Sequence, residues 1–111
     1  MIKKNQEDFI IIETSTQSID LANKISQILL DKKIAGCIEF QEIVSNYFWQ
    51  DKISKSKEII LKIKTQEKFF DEISFLIKKN HSYEIPQIIS TKINNIDESY
   101  RNWLISSLRQ T

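Results

Sequence analysis

The spacing of apolar residues changes period several times along the chain, and each change marks an element. Residues 9–13 form a short Ile-rich run, too brief for a helix, which predicts a strand buried on both faces. Thr14, Ser15 and Thr16 then offer hydroxyls that suit an N-cap. Beyond them Leu21, Ala22, Ile25, Ile28 and Leu29 recur at helical spacing up to about Lys33, with Lys32 and Lys33 at the negative end of the helix dipole. From Cys37 the texture turns β-like through residues 37–44 and on to Tyr47, Phe48 and Trp49, and a polar turn is expected over residues 50–57. Residues 58–65 alternate, with Ile59, Leu61 and Ile63 on one face. Thr65 can cap a second helix that carries Phe69, Phe70, Ile73, Leu76 and Ile77, with acids early and Lys78 and Lys79 late. Pro86 biases residue 85 to extended geometry, and residues 87–93 read as a fourth strand. A last helix from about Asp97 places Tyr100, Trp103, Leu104 and Leu108 on one side, where Tyr100 and Trp103 are expected to join the core.

The order βαββαβ followed by a helix predicts an α+β protein of ferredoxin-like architecture, an antiparallel sheet with helices on one face. Residues 1–8 read as a short polar lead-in expected to fray. Residues 9–111 read as a single domain, because no linker, low-complexity tract or repeat interrupts them. A chain of 111 residues buries roughly two-thirds of its unfolded surface and needs no metal or disulfide to hold its core.

Composition mainly excludes. The chain has one Cys, one His and one Gly, which removes disulfides, a self-contained zinc finger and the glycine-rich phosphate loops. Sixteen Lys and Arg against fifteen Asp and Glu leave a formal charge of +1, with Arg101 and Arg109 the only arginines, so nucleic acid is not an expected partner. No apolar run approaches the roughly 18 residues of a membrane span, and the polar lead-in lacks the apolar core of a signal peptide. No membrane association and a cytoplasmic location are the expectations.

Cys37 and His81 form the one pair of soft donors, thiolate and imidazole, the combination that Cu(I) or Zn selects. No nucleophile, base and orienting group stand at a recognisable spacing, so no catalytic residue is assigned and an enzyme is not expected. Glu13, Glu39, Glu42, Glu58 and Glu84 are carboxylates whose pairing in space is not legible from one sequence. Tyr47, Phe48 and Trp49 end a long strand without surrounding basic residues, which favours packing or a subunit interface over base stacking.

Five segments together carry a resemblance: Ala35, Gly36, Cys37 and Ile38; Ser45 through Tyr47 to Trp49; Glu58 with Lys64 and Thr65; His81 through Tyr83 and Glu84 to Pro86; and Tyr100 with Trp103 and Leu104. In order and spacing they resemble CutA, the divalent-ion tolerance family, across about residues 9–108. The chain departs from that pattern at Glu39 (usually Asn), Asp51 (Gly), Ser82 (Pro) and Gln87 (an acid), and carries Glu13 where some relatives have Cys. The resemblance implies a homotrimer of ferredoxin-like subunits with long strands paired across subunits, similar to the PII signalling proteins. It also implies tolerance of copper or another divalent metal ion. On that reading Cys37 and His81, assisted by Glu13 or Glu84, are the metal ligands, and Tyr47, Trp49 and Tyr83 line an intersubunit cleft. The alternative is a PII-like sensor of a small molecule, or a scaffold for a protein partner, using that cleft.

Overall fold

Four strands and three helices follow in the expected order in the computed structural model, which describes residues 8–110: β1 (Phe9–Thr16), α1 (Ile19–Asp31), β2 (Cys37–Trp49), β3 (Lys52–Gln66), α2 (Phe70–Asn80), β4 (Ile89–Lys92) and α3 (Glu98–Ser106). The strands make one antiparallel sheet in the order β2-β3-β1-β4. Most of the lead-in lies outside the described residues. Asp8 is fastened, its carbonyl accepting from the Glu67 N–H at 2.8 Å and its carboxylate pairing with Lys92 at 2.9 Å.

The core lies between the sheet and two helices. Ile10 and Ile12 of β1 and Leu61 and Ile63 of β3 point to one face, as the period of two requires. They meet Ala22, Ile25 and Leu29 of α1 and Ile73 and Ile77 of α2, all essentially buried. Each such aliphatic side chain contributes about 1.5–3 kcal/mol relative to exposure.

Several boundaries differ from expectation, each for a tertiary reason. Thr14, Ser15 and Thr16 do not cap α1. They are the last residues of β1, held in the ladder opposite Leu61, Ile60 and Ile59, and the cap is Ser18, whose side chain accepts from the Leu21 N–H. Lys32 and Lys33 lie just past the helix rather than in its last turn, Lys32 as the C-cap and Lys33 at φ 56°. The expected turn over residues 50–57 shrinks to Gln50 and Asp51, both at positive φ (49° and 61°), the two-residue geometry whose twist matches a hairpin. Residues 52–57 are strand despite their lysines and serines, because ladder bonds use backbone and β2 supplies a partner at every position. Thr65 stays in β3 and donates its hydroxyl to the Ile34 carbonyl. A 3-10 turn, Glu67–Phe69, then leads into α2 with no side-chain cap. The fourth strand is limited to Ile89–Lys92, which face Glu13 back to Ile10.

The third helix behaves differently from the other two. Tyr100 accepts a hydrogen bond from Lys64, and Arg101 lies over the Phe9 ring, so α3 covers one end of the sheet face opposite α1 and α2. The helix begins where expected, with Asp97 as its N-cap accepting from the Tyr100 N–H. Leu104 and Leu108 are buried, whereas Trp103 is 49% exposed and Tyr100 only half-buried, so the aromatic pair is not core. The helix has too little sheet beneath it to bury both rings.

The one glycine is explained by this helix. A Cβ on Gly36 would stand 2.2 Å from Cδ1 of Leu104, itself fully buried. The Gly36→Ala protein is therefore expected to lose about 1–3 kcal/mol through overpacking. Urea unfolding would show this as a lower midpoint with an unchanged slope.

Candidate functional site

Cross-strand partners share a face of a sheet, so the register sorts the polar residues. Cys37 and Glu39 of β2, Glu58, Lys62 and Lys64 of β3, and Glu13 and Ser15 of β1 all project from the face that α1 and α2 leave open. Tyr47 and Trp49 continue the same row towards the hairpin tip. Two clusters form on this face, at different levels along β3.

The first is built around Glu58, only 8% exposed. Its carboxylate accepts from the Tyr83 hydroxyl at 2.7 Å and from the Ser15 hydroxyl at 3.4 Å. The end of α2 delivers Tyr83 to this position. Its C-cap, His81, has extended backbone (φ −80°, ψ 149°) while its N–H still donates to the Ile77 carbonyl, so the chain leaves the helix across the end of β1. The His81 ring then locks the segment from both sides. Nε2 lies 2.7 Å from the Ser15 carbonyl, which can only accept, so Nε2 carries the proton; Nδ1 accepts from the Tyr83 N–H at 3.0 Å. The two rings pack with centroids 4.6 Å apart. Burial, then the hydrogen bond to Glu58 and its negative charge, with Tyr47 nearby, push the Tyr83 phenol well above its ordinary pKa and keep it a donor.

The second cluster centres on Lys64. Its ammonium pairs with Glu39 at 3.1 Å, donates to the Tyr100 hydroxyl at 3.3 Å and sits over the Tyr100 ring. Burial alone would lower the Lys64 pKa; the bonds to Glu39 and Tyr100, with a smaller contribution from Cys37, outweigh it and raise it. Glu39, a departure from the family pattern, is thus the counter-ion of the lysine beside Cys37.

The four residues expected as metal ligands do not converge within one chain. Cys37 is half-buried opposite Lys64, whereas His81 reaches Ser15, which stands opposite Ile60. Four residues of strand separate those levels, about 13 Å. Metal bonds of about 2.0–2.3 Å cannot span that gap. Glu13 is half-buried beside Lys62, Glu84 is exposed, and no three His, Cys, Asp or Glu side chains gather among the described residues. Tyr47 and Trp49 stand at the end of β2, 43% and 58% exposed, while Tyr83 folds back over Glu58. The sequence names Glu58 only as a carboxylate of unread pairing and a residue of the resemblance, and Ser15 only as a cap candidate; neither is assigned to a site there. The available signal is a single Glu among the lysines and serines of the open face of β3, and nothing local distinguishes it from a solvated carboxylate.

A four-stranded antiparallel sheet with this strand order, two helices on one face and a polar network on the other, defines a ferredoxin-like α+β protein. The chain belongs to the CutA1 divalent ion tolerance protein family, whose sequence profile matches residues 10–107. It is 31% identical over 101 residues to the divalent-cation tolerance protein CutA of Pyrococcus horikoshii, covering 91% of this chain and 99% of that one. It is 32% identical over 99 residues to the protein of the same name from Thermotoga maritima, covering 89% and 98%. Among solved structures, CutA1 from Oryza sativa superposes with a TM-score of 0.90 at 26% identity, over 96% of this chain and 98% of that one. The periplasmic divalent cation tolerance protein CutA from Archaeoglobus fulgidus gives 0.88 at 28% identity, over 91% and 99%.

Replacing Tyr83 by Phe leaves the Glu58 carboxylate with Ser15 alone and is expected to cost about 1–3 kcal/mol. The raised phenol pKa adds a pH signature: its stabilisation is complete below the unfolded tyrosine value near 10 and is lost as pH rises towards the folded value. The gap between the denaturant midpoints of wild type and Tyr83→Phe should therefore hold constant from pH 8 to about 10 and begin to narrow between pH 10 and 11. Parallel curves would contradict the network.

Proposed function

We propose that this chain acts in divalent-cation tolerance as a cytoplasmic homotrimer that binds copper or another divalent metal ion, and that it is a binding protein rather than an enzyme. The observation that carries the assembly is the β2–β3 hairpin. β2 is a 13-residue edge strand, and the hairpin leaves Val44, Phe48, Trp49 and Ile53 between 55% and 80% exposed. A long apolar edge is a template for another chain, and natural proteins cover or charge such edges. In a ring of three copies the β2 edge of each would be covered by a different part of its neighbour.

The metal reading rests on the family and on the donors present. Cys37 and His81, with Glu13 or Glu84, supply soft and hard ligands of the kinds that copper and other divalent ions accept. Both ring nitrogens of His81 are engaged within the chain. An ion held there must displace one backbone partner and take its remaining donors from a neighbouring subunit. The lone free thiol suits a reducing compartment.

A second reading is favoured by the Glu58, Tyr83 and His81 network: a polar cleft between subunits, bordered by Tyr47 and Trp49, that recognises a small molecule or a protein partner. Fixed donors and acceptors beside exposed aromatic rings are the usual makings of such a site.

Two measurements test these readings. Light scattering and native mass spectrometry of protein purified without added metal should give the mass of three chains, and Trp49→Ala should weaken the trimer by about 2 kcal/mol or more. A monodisperse monomer would refute the assembly. Copper calorimetry should show weaker binding for Cys37→Ser and His81→Ala than for wild type. Equal binding in all three would remove these residues from the site and leave the cleft reading ahead.

A further inference from the structure

At the far end of β3 from the hairpin, a cavity of about 90 Å³ opens between α3 and the 3-10 turn, walled by Gln66, Lys68, Arg101, Ile105, Arg109 and Gln110. It collects both arginines of the chain and a lysine. What holds these cations in place is mostly neutral. Lys68 donates to the Gln110 carbonyl at 3.0 Å and lies over the Phe69 ring, and Arg101 lies over the Phe9 ring at 5.5 Å. Arg109 lies 5.4 Å from the centroid of the same Phe69 ring and, among the described residues, is the one of the three paired with a carboxylate, that of Glu72. Its Nε is buried and has no acceptor among the described residues. Glu67 lies on the same turn but does not wall the cavity.

We propose that this cavity is a binding site for a small oxyanion of the phosphate class. Carbonyls and aromatic faces position the ammonium and guanidinium groups, and among the described residues no carboxylate pairs with Lys68 or Arg101, so both present positive charge to the cavity. Guanidinium forks match the oxygens of a tetrahedral anion, and Lys68 adds a point charge. Size sets the class. Pockets that enclose drug-sized ligands begin at about 300 Å³, so the cavity admits an ion or a single phosphoryl group and not a nucleotide. None of the cavity's walls belongs to the proposed metal or cleft sites, although Cys37, opposite Lys64, stands at the same end of β3.

Calorimetric titration of the full chain with inorganic phosphate at low ionic strength tests this, with sodium chloride of equal ionic strength as the control. Wild type should bind one phosphate per chain, and the double variant K68Q/R101Q should bind at least tenfold more weakly while keeping the melting temperature and oligomeric state of the phosphate-free wild type. Arg109 is left intact because its Glu72 contact and its backbone bond to the Lys33 carbonyl fasten the end of α3. Amide chemical shifts of wild type read the same site without a variant: phosphate should move residues 66–68 and 101–110. Glycerol phosphate separates the two sources of the anion. Tighter binding than inorganic phosphate assigns the site to a phosphorylated small molecule, and weaker binding assigns it to the free ion. No binding by wild type, equal binding by the double variant, or shifts confined to other residues would overturn the proposal.

Discussion

The antiparallel ladder between β2 and β3 is the constraint on which most of this structure depends. It pairs thirteen consecutive positions, from Cys37 opposite Lys64 to Trp49 opposite Lys52, and closes through two residues at positive φ. Only its lower half has helices beneath it. Leu61 and Ile63 are sealed by α1 and α2, while the upper half continues past the core with its apolar side chains in solvent. The same ladder that anchors the fold therefore also creates an exposed apolar surface, with Val44, Phe48, Trp49 and Ile53 in solvent. An isolated two-stranded ribbon is marginally stable in water, so the upper hairpin gains order from its continuity with the four-stranded region below.

Register along that ladder also decides which polar groups meet. Cys37 lies level with Lys64 and Glu39, whereas Glu58 lies level with Ile43 and near the end of β1 that His81 reaches. The open face thus carries two separate electrostatic units. One is a lysine held charged by a carboxylate and a phenol. The other is a buried carboxylate satisfied, among the described residues, by two hydroxyls, with a histidine whose Nε2 donates and whose Nδ1 accepts. In the second unit each group fixes the next: the His81 ring holds the Tyr83 backbone, and the Tyr83 hydroxyl holds Glu58. Coupling of this kind makes the network cooperative and intolerant of partial removal.

The third helix completes the molecule by reaching around the sheet. Gly36 admits Leu104, Lys64 reaches Tyr100, and Arg109 ties its N–H to the Lys33 carbonyl. These contacts bring the two arginines, which are late in the chain, against the turn that carries Lys68. A nearly neutral chain thereby acquires a local concentration of positive charge that its net charge conceals.

The sequence by itself determined the order of the strands and helices, the family and the aliphatic core positions of β1, β3, α1 and α2, because burial on one face imposes a period that can be read locally. Ile59, Leu61 and Ile63, or Ala22, Ile25 and Leu29, announce their buried face without any partner. It did not determine where the hairpin turns. Residues 52–57 have the composition of a loop and are strand only because β2 lies beside them. Nor did it show that Trp103 stays in solvent, that Ser18 and not Thr16 caps α1, or that Asp51 occupies a left-handed position. The site was half legible. His81 and Tyr83 are two residues apart and belong to one motif, but Ser15 and Glu58 are 43 residues apart. Their meeting depends on strand order, on register and on the path taken at the end of α2, none of which a local pattern encodes.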